Sequence, residues 1–448
     1  MGYSGRWNST DPVPERAIAS GLIDRFGLID PTDGGRTHRH TLAGEWRKST
    51  TAGLTLVKAY GIDYGLDLFS NFTFFLDDPV RGDQFEQKDD RNILGGSISQ
   101  RFLSRWFGKD TESVAGLQTR FDHIPTLGLY HTEARQRLAT VRQDRVNQWS
   151  GALFFQTSTQ WAPKLRTVTG VREDVYHFDV RSDDIANSGA RRSSLASPKV
   201  SVILGPWKST ELYANWGWGF HSNDARGAVQ TRNPKTGELV SSVDPIARAK
   251  GAEVGVRTGA ARRLHSTLAL WTLDIASELI FVGDAGTTEA SRPSRRLGFE
   301  WSSVYAPTRW LTVDADFAYS RARFRDEDPV GDRIPGAVEG VASAGITALG
   351  KGPLSGSLRL RYFGPRPLVE DDRVRSKASA TLNARASLRL TRQLAISVDA
   401  FNLTNAKASD IDYFYASRLL GEPAAGFDDL HSHPLEPFTV RVSLSVSF

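Results

Sequence analysis

Apolar and polar residues alternate one by one along segment after segment of this chain, and the polar positions include arginine. From Phe438 to the end the apolar residues are Phe438, Val440, Val442, Leu444, Val446 and Phe448, separated by Thr439, Arg441, Ser443, Ser445 and Ser447. A strand sends successive side chains to opposite faces, so such a segment has one apolar and one polar face. Residues 378–390 repeat the pattern, with Ala380, Leu382, Ala384, Ala386 and Leu388 set against Thr381, Asn383, Arg385, Ser387 and Arg389. Leu311, Val313, Ala315, Phe317 and Tyr319 form a third such column. A packed sandwich core does not tolerate several arginines. The polar face is therefore wet, and the apolar face has an apolar medium of its own.

Composition narrows that medium. Hydrophobic residues make up 40% of the 448, and no apolar run approaches the ~18 residues a membrane helix needs. A helical membrane protein is excluded; a membrane β-barrel dilutes its apolar residues with lumen-facing polar ones and is not. The 40 Gly and 11 Trp suit many turns and aromatic belts. With no cysteine, disulfides and Cys-ligated metals are excluded. The net charge of +5 is spread without a basic block beside aromatic platforms, which gives nucleic-acid binding no support.

Connections alternate in length. Short ones are expected at Ala162-Pro163-Lys164, Gly205-Pro206-Trp207, Ala306-Pro307-Thr308 and Leu390-Thr391-Arg392, and long polar ones at 9–35, 221–246, 325–336 and 406–436. Short turns on one side and long loops on the other describe an up-and-down outer-membrane barrel of about 18 strands. Trp161, Trp207 and Trp310 fall at short turns and Trp216 and Trp218 near the opposite end of a strand, where two interfacial belts belong. The fold class is thus all-β, a transmembrane antiparallel barrel whose first strand, Tyr3 to Asn8, runs outward. A soluble all-β protein is the competing reading; wet arginine-bearing faces and the alternating connections argue against it.

Particular strings resemble the C-terminal barrel of TonB-dependent outer-membrane receptors across essentially the whole chain. They include Trp7-Asn8-Ser9-Thr10-Asp11, Leu68-Phe69-Ser70-Asn71-Phe72-Thr73, Lys250-Gly251-Ala252-Glu253 and Phe401-Asn402-Leu403-Thr404-Asn405, with residues 217–227 the most specific. The resemblance implies a barrel of roughly 22 strands filled by an N-terminal plug, capture of a scarce ligand such as a siderophore–iron chelate or cobalamin, and energy from the TonB complex. Residues 1–448 would be the barrel portion. No signal peptide, TonB box or plug is read ahead of Tyr3, and about four family strands are unaccounted for. TonB is expected as a partner only once a plug is supplied. A plugless passive channel and a non-functional fragment are the alternatives.

No catalytic set emerges, and no cofactor is expected. Asp77/Asp78, Asp89/Asp90 and Asp371/Asp372 read as solvated loop charges. Ligand-binding candidates are His221, Asn223, Asp224 and Arg226 at a strand top, and His431 and His433 in the last long loop. The bland reading of the first group is turn capping with an Asp224–Arg226 pair. That of the second is loop packing rather than a metal site. His38 and His40 share one strand face at the outer end of the second strand, from which they could line the vestibule. Arg359, Arg361, Arg385 and Arg389 are expected in the lumen, where they would pair with a plug or favour anions.

Outer-membrane lipid and the barrel-assembly machinery are the expected partners of the last strand. Its column Phe438, Val440, Val442, Leu444, Val446 and Phe448 would face lipid, and it resembles the signal that machinery reads. Deleting Phe448 should then reduce the heat-modifiable, membrane-inserted fraction on gels far more than it alters ligand affinity of the protein that does insert.

Overall fold

The computed structural model describes residues 1–9, 12–51, 53–261, 263–277, 279–282, 287–290, 292–350 and 352–447, with backbone alone at 279–282 and 287–290. Eighteen strands form one antiparallel sheet. In chain order they are Gly2–Asn8, Gly34–Thr50, Gly53–Ser70, Phe85–Trp106, Lys109–Glu133, Gln136–Ala162, Leu165–Ser182, Gly189–Trp207, Thr210–Ser222, Ile246–Thr258, Leu264–Ile275, Ser294–Tyr305, Leu311–Phe324, Gly340–Leu349, Leu354–Phe363, Ser379–Arg389, Leu394–Phe401 and Thr439–Val446. Each pairs with its sequence neighbour, from Gly2↔His40 at one end to Phe401↔Thr439 at the other.

The expected parity holds. Short turns follow the even-numbered strands, and all the long loops follow odd-numbered ones. The turn expected at Gly205-Pro206-Trp207 lies slightly later: those residues end the eighth strand, and Lys208 and Ser209 turn the chain with φ of 48° and 65°. Two positive φ values match the twist of a tight hairpin. The fifth and sixth strands, of 25 and 27 residues, join through Ala134 and Arg135 on the loop side. At ~3.4 Å per residue and ~45° tilt they rise about 60 Å, well past the ~25 Å apolar band.

The register fixes which face meets lipid. One transverse row on the outer face reads Leu42, Gly61, Leu94, Phe121 and Trp149. Leu42 is 83% exposed and Leu94 64%. Val440, Val442, Leu444 and Val446 continue that face on the last strand, and Phe438 is exposed just before it; Phe448 lies outside the described residues. The inner face is polar. Arg359 pairs with Asp314 at 3.0 Å and Arg385 with Asp399 at 2.9 Å. The carboxylates that meet these two arginines therefore come from the barrel wall. Gly345 stands between Arg359 and Asp314 in the register, and a Cβ there would lie 2.6 Å from the Asp314 carboxylate. Only a missing side chain lets the ion pair cross that strand.

Among the described residues no pairing joins Gly2–Asn8 to Thr439–Val446, so the sheet is open at this seam. The first strand covers only Gly34–His40 of the 17-residue second strand. The loops flanking the seam meet above it. Val13–Pro14 pairs with His431 and Ser432 of strand Phe427–Pro434, which pairs in turn with Ser409–Ser417. Helix α1, Glu15–Ala19, follows. Ala17, Phe74 and Leu419 form a small core between loops 9–33, 71–84 and 402–438, with Ile23, Ile29 and Phe75 against it. Truncating Phe74 to Ala should cost about 3–5 kcal/mol at this junction. Limited proteolysis should then cut loops 9–33 and 402–438 first, with the strand circular dichroism unchanged.

Candidate functional site

The outer ends of the strands carry two structured groups of residues. The first is centred on Arg16 in α1. Its guanidinium donates to Glu422 at 2.8 and 2.9 Å, to Asp429 at 3.2 Å and to Ser417 at 2.9 and 3.0 Å. Arg16 also holds Glu422 below the usual carboxylate range. His431 is buried beside it, its ring stacked on Tyr415 at 3.7 Å. A carbonyl only accepts, so the His431 Nδ1–H must donate to the Asp429 carbonyl at 3.0 Å. Nε2 then accepts from the Ser417 hydroxyl at 2.7 Å. Both ring nitrogens are spent inside the cap, and burial pushes the imidazole down to about 4.

His431 is thus a structural histidine rather than one facing a ligand. His433, two residues along the same strand, pairs with Ile411 in the backbone register. Among the described residues no group of His, Cys, Asp and Glu is arranged to hold a metal ion.

The second group is loop 223–245, which folds back into the lumen. Its helix α2, Ala225–Val229, buries Ala225, Ala228 and Val229 against Ile124, Val146, Phe178 and Val180 on the inner wall. Asp224 caps α2, accepting from the Arg226 amide at 2.8 Å, and pairs with the Arg226 guanidinium at 2.8 Å. Burial alone would raise this carboxyl, but Arg226 holds it down to about 2. Asn223 latches the loop base by donating to the Asp244 carbonyl at 2.5 Å, and His221 Nε2 reaches the Ser277 carbonyl at 2.7 Å. The four strand-top candidates do sit together, and their contacts are those of capping and latching.

The wall side was missed in sequence. Arg142 and Asp144 are buried and paired at 2.5 Å, and Arg142 donates to Gln230 at 2.7 Å. Asn187 accepts from the Thr231 and Arg232 amides. Lys235 reaches Asp77 at 2.6 Å, joining this loop to loop 71–84. Beneath that link is a crevice of about 300 Å3 lined by Asp77, Asp78, Asp83, His131, Lys235 and Leu129. The Asp83 carboxylate is committed to Thr73 and the amides of Leu76, Asp77 and Asp78. The apolar Ala225, Ala228 and Val229 inside a polar loop were the available sequence signal for α2.

His38 and His40 do not line the vestibule. The unbroken register of the second strand puts them on the same face as Leu42 and Trp46, outside the barrel, with their rings stacked at 5.6 Å and His38 3.3 Å from Asp63.

An apolar outer face, a polar lumen, short turns on one side and folded loops on the other define a transmembrane β-barrel of the outer-membrane receptor type. The chain belongs to the TonB-dependent receptor-like β-barrel family, whose model matches residues 2–403. Barrels of this family sit in the outer membrane, and the family is one of receptors and transporters rather than enzymes. No curated protein matches the chain.

Solved structures share the fold. The ferric yersiniabactin uptake receptor FyuA from Yersinia pestis superposes with a TM-score of 0.75 at 12% identity, over 100% of this chain and 67% of its own. The ferric citrate transporter FecA gives 0.76 at 14%, over 100% and 66%. The copper transporter OprC gives 0.68 at 19%, over 93% and 66%. The chain thus spans about two thirds of the length of these relatives.

The neutral, buried His431 makes the cap acid-sensitive. Its folded pKa of about 4 lies below the ordinary ~6.5, so the unfolded loop binds a proton more readily. The stabilisation is full above about 6.5 and is lost as pH falls towards 4. Hydrogen exchange in 409–434 should speed up across that window, and His431→Phe should flatten the dependence.

Proposed function

We propose that this barrel is the translocation unit of an outer-membrane receptor for a scarce metal chelate, driven by TonB when joined to a plug. The family assignment supports the receptor class. The neighbours named for ferric yersiniabactin, ferric citrate and copper support a metal-bearing cargo. The observation that carries the reading is the inward fold of loop 223–245. In a receptor such a loop, packed on the inner wall, stands where cargo is met on its way into the lumen, whereas in a passive channel it would serve only to narrow the pore. A receptor needs folded loops above its lumen to contact cargo before release inward.

The crevice under the Lys235–Asp77 link is the cargo contact of this proposal. Lys235 is the cation of this crevice, where an anionic chelate would compete with Asp77 for it, and Leu129 and Phe85 give an apolar floor. The open seam is the place where further strands of a complete receptor would pair, since an unpaired edge in lipid leaves backbone groups unsatisfied.

Titrating the detergent-folded chain with ferric citrate, a ferric catecholate, a ferric hydroxamate and cobalamin tests this. Tryptophan fluorescence should respond to one class, and Lys235→Ala should weaken that response by about tenfold, the loss of a charge-assisted contact. Silence to every chelate, together with a steady large conductance in planar bilayers, would establish the passive channel instead.

A further inference from the structure

We propose that the outer wall between the ninth and thirteenth strands binds the phosphate-bearing headgroup of an outer-leaflet lipid. One transverse register row there reads Trp218, Lys250, Asp274, Arg295 and Arg323. The row below it reads Trp216, Ala252, Thr272, Leu297 and Arg321, and Arg248 stands next to Lys250 on the same face. Trp216 and Leu297 are 46% and 50% exposed, which places this face outside the barrel.

The charge on this face is unbalanced. Asp274 is shared by Arg295 at 2.6 Å and Arg325 at 4.0 Å, and Arg323 is met by Asp332 from the loop. Arg248 and Arg321 have no ion-pair partner among the described residues, and Lys250 faces Asp274, the carboxylate that Arg295 and Arg325 already share. Arg295 and Arg323 lie directly opposite each other, and the carboxylates that reach them, Asp274 and Asp332, are outnumbered by the cations of this face. Arg248 and Lys250 instead lean on the Trp218 indole, at 4.4 and 5.4 Å.

Height identifies the anion. Arg295 is ten residues above Tyr305, which closes the twelfth strand at its short turn. At ~3.4 Å per residue and ~45° tilt that is about 24 Å, the thickness of the apolar band. The cations therefore stand at the headgroup level of the outer leaflet, directly over exposed Leu270, Leu297 and Tyr319. A lipid places its acyl chains on that apolar wall and its phosphate among the cations; a soluble anion uses only the second half. The indole of Trp218 marks the same interface.

Native mass spectrometry of the full chain from mixed micelles tests the assignment, with phosphorylated lipid A, the same lipid stripped of phosphate, and inorganic phosphate as probes. Phosphorylated lipid A should be retained about tenfold more than the stripped form, and inorganic phosphate should not displace it. The triple variant Arg248→Gln, Lys250→Gln, Arg321→Gln should lose the preference, while Arg359→Gln in the lumen should keep it. Equal retention of the two lipids, competition by inorganic phosphate, or full retention by the triple variant would each overturn the proposal. Should the triple variant not fold, the two-lipid comparison on the unaltered chain and the single variant Lys250→Gln decide the matter.

Discussion

A backbone in hydrocarbon has no water to bond, so every amide inside the apolar band must find its partner in a neighbouring strand. That requirement sets the period of the sequence. Each residue belongs either to the lipid face or to the lumen, and the ladder of eighteen strands keeps the two apart from Leu42 to Val446. It also explains the cost of the seam. Among the described residues the second strand has one neighbouring strand only beyond Thr41, and the last strand pairs on one side. What holds the two ends of the sheet near each other lies outside the lipid, in the loop sheet around Arg16 and His431.

The loops are therefore structural parts of this molecule. Loops 9–33, 71–84 and 402–438 share a core, and loop 223–245 is tied to them through Lys235 and Asp77. Polar side chains that look free in the sequence are mostly spent on this framework. Asp224, Arg226, Asn223 and His431 each have specific partners, and the crevice beneath the Lys235–Asp77 link is lined by other residues with less conspicuous spacing.

The barrel was legible because its signal is periodic and local. The columns 380–388 and 438–446, the outward first strand and the strand number all follow from alternation and turn spacing. The loop cap was illegible because its contacts join distant, aperiodic segments, as when the Arg16 amide meets Asp429. The misplacing of His38 and His40 has a different origin. Their parity with Leu42 and Trp46 is legible in the sequence, and phase rather than the chemistry of imidazole decides which face they take. The lumen arginines show the converse: Arg359 and Arg385 face inward as alternation requires, but their carboxylates, Asp314 and Asp399, sit on nearby strands that periodicity does not rank as partners.

The strand Val13–Pro14 needs a partner that lies more than 400 residues away, between Phe427 and Pro434. No shorter length of chain contains both halves of that small sheet. During biogenesis the early loop must wait, with Phe74 and Ala17 uncovered, until the final hairpin has arrived. Closure of the cap is thus a record that the chain has been delivered as far as Pro434. A truncated or stalled chain would display an apolar loop surface, which is the sort of feature a periplasmic chaperone or protease can recognise.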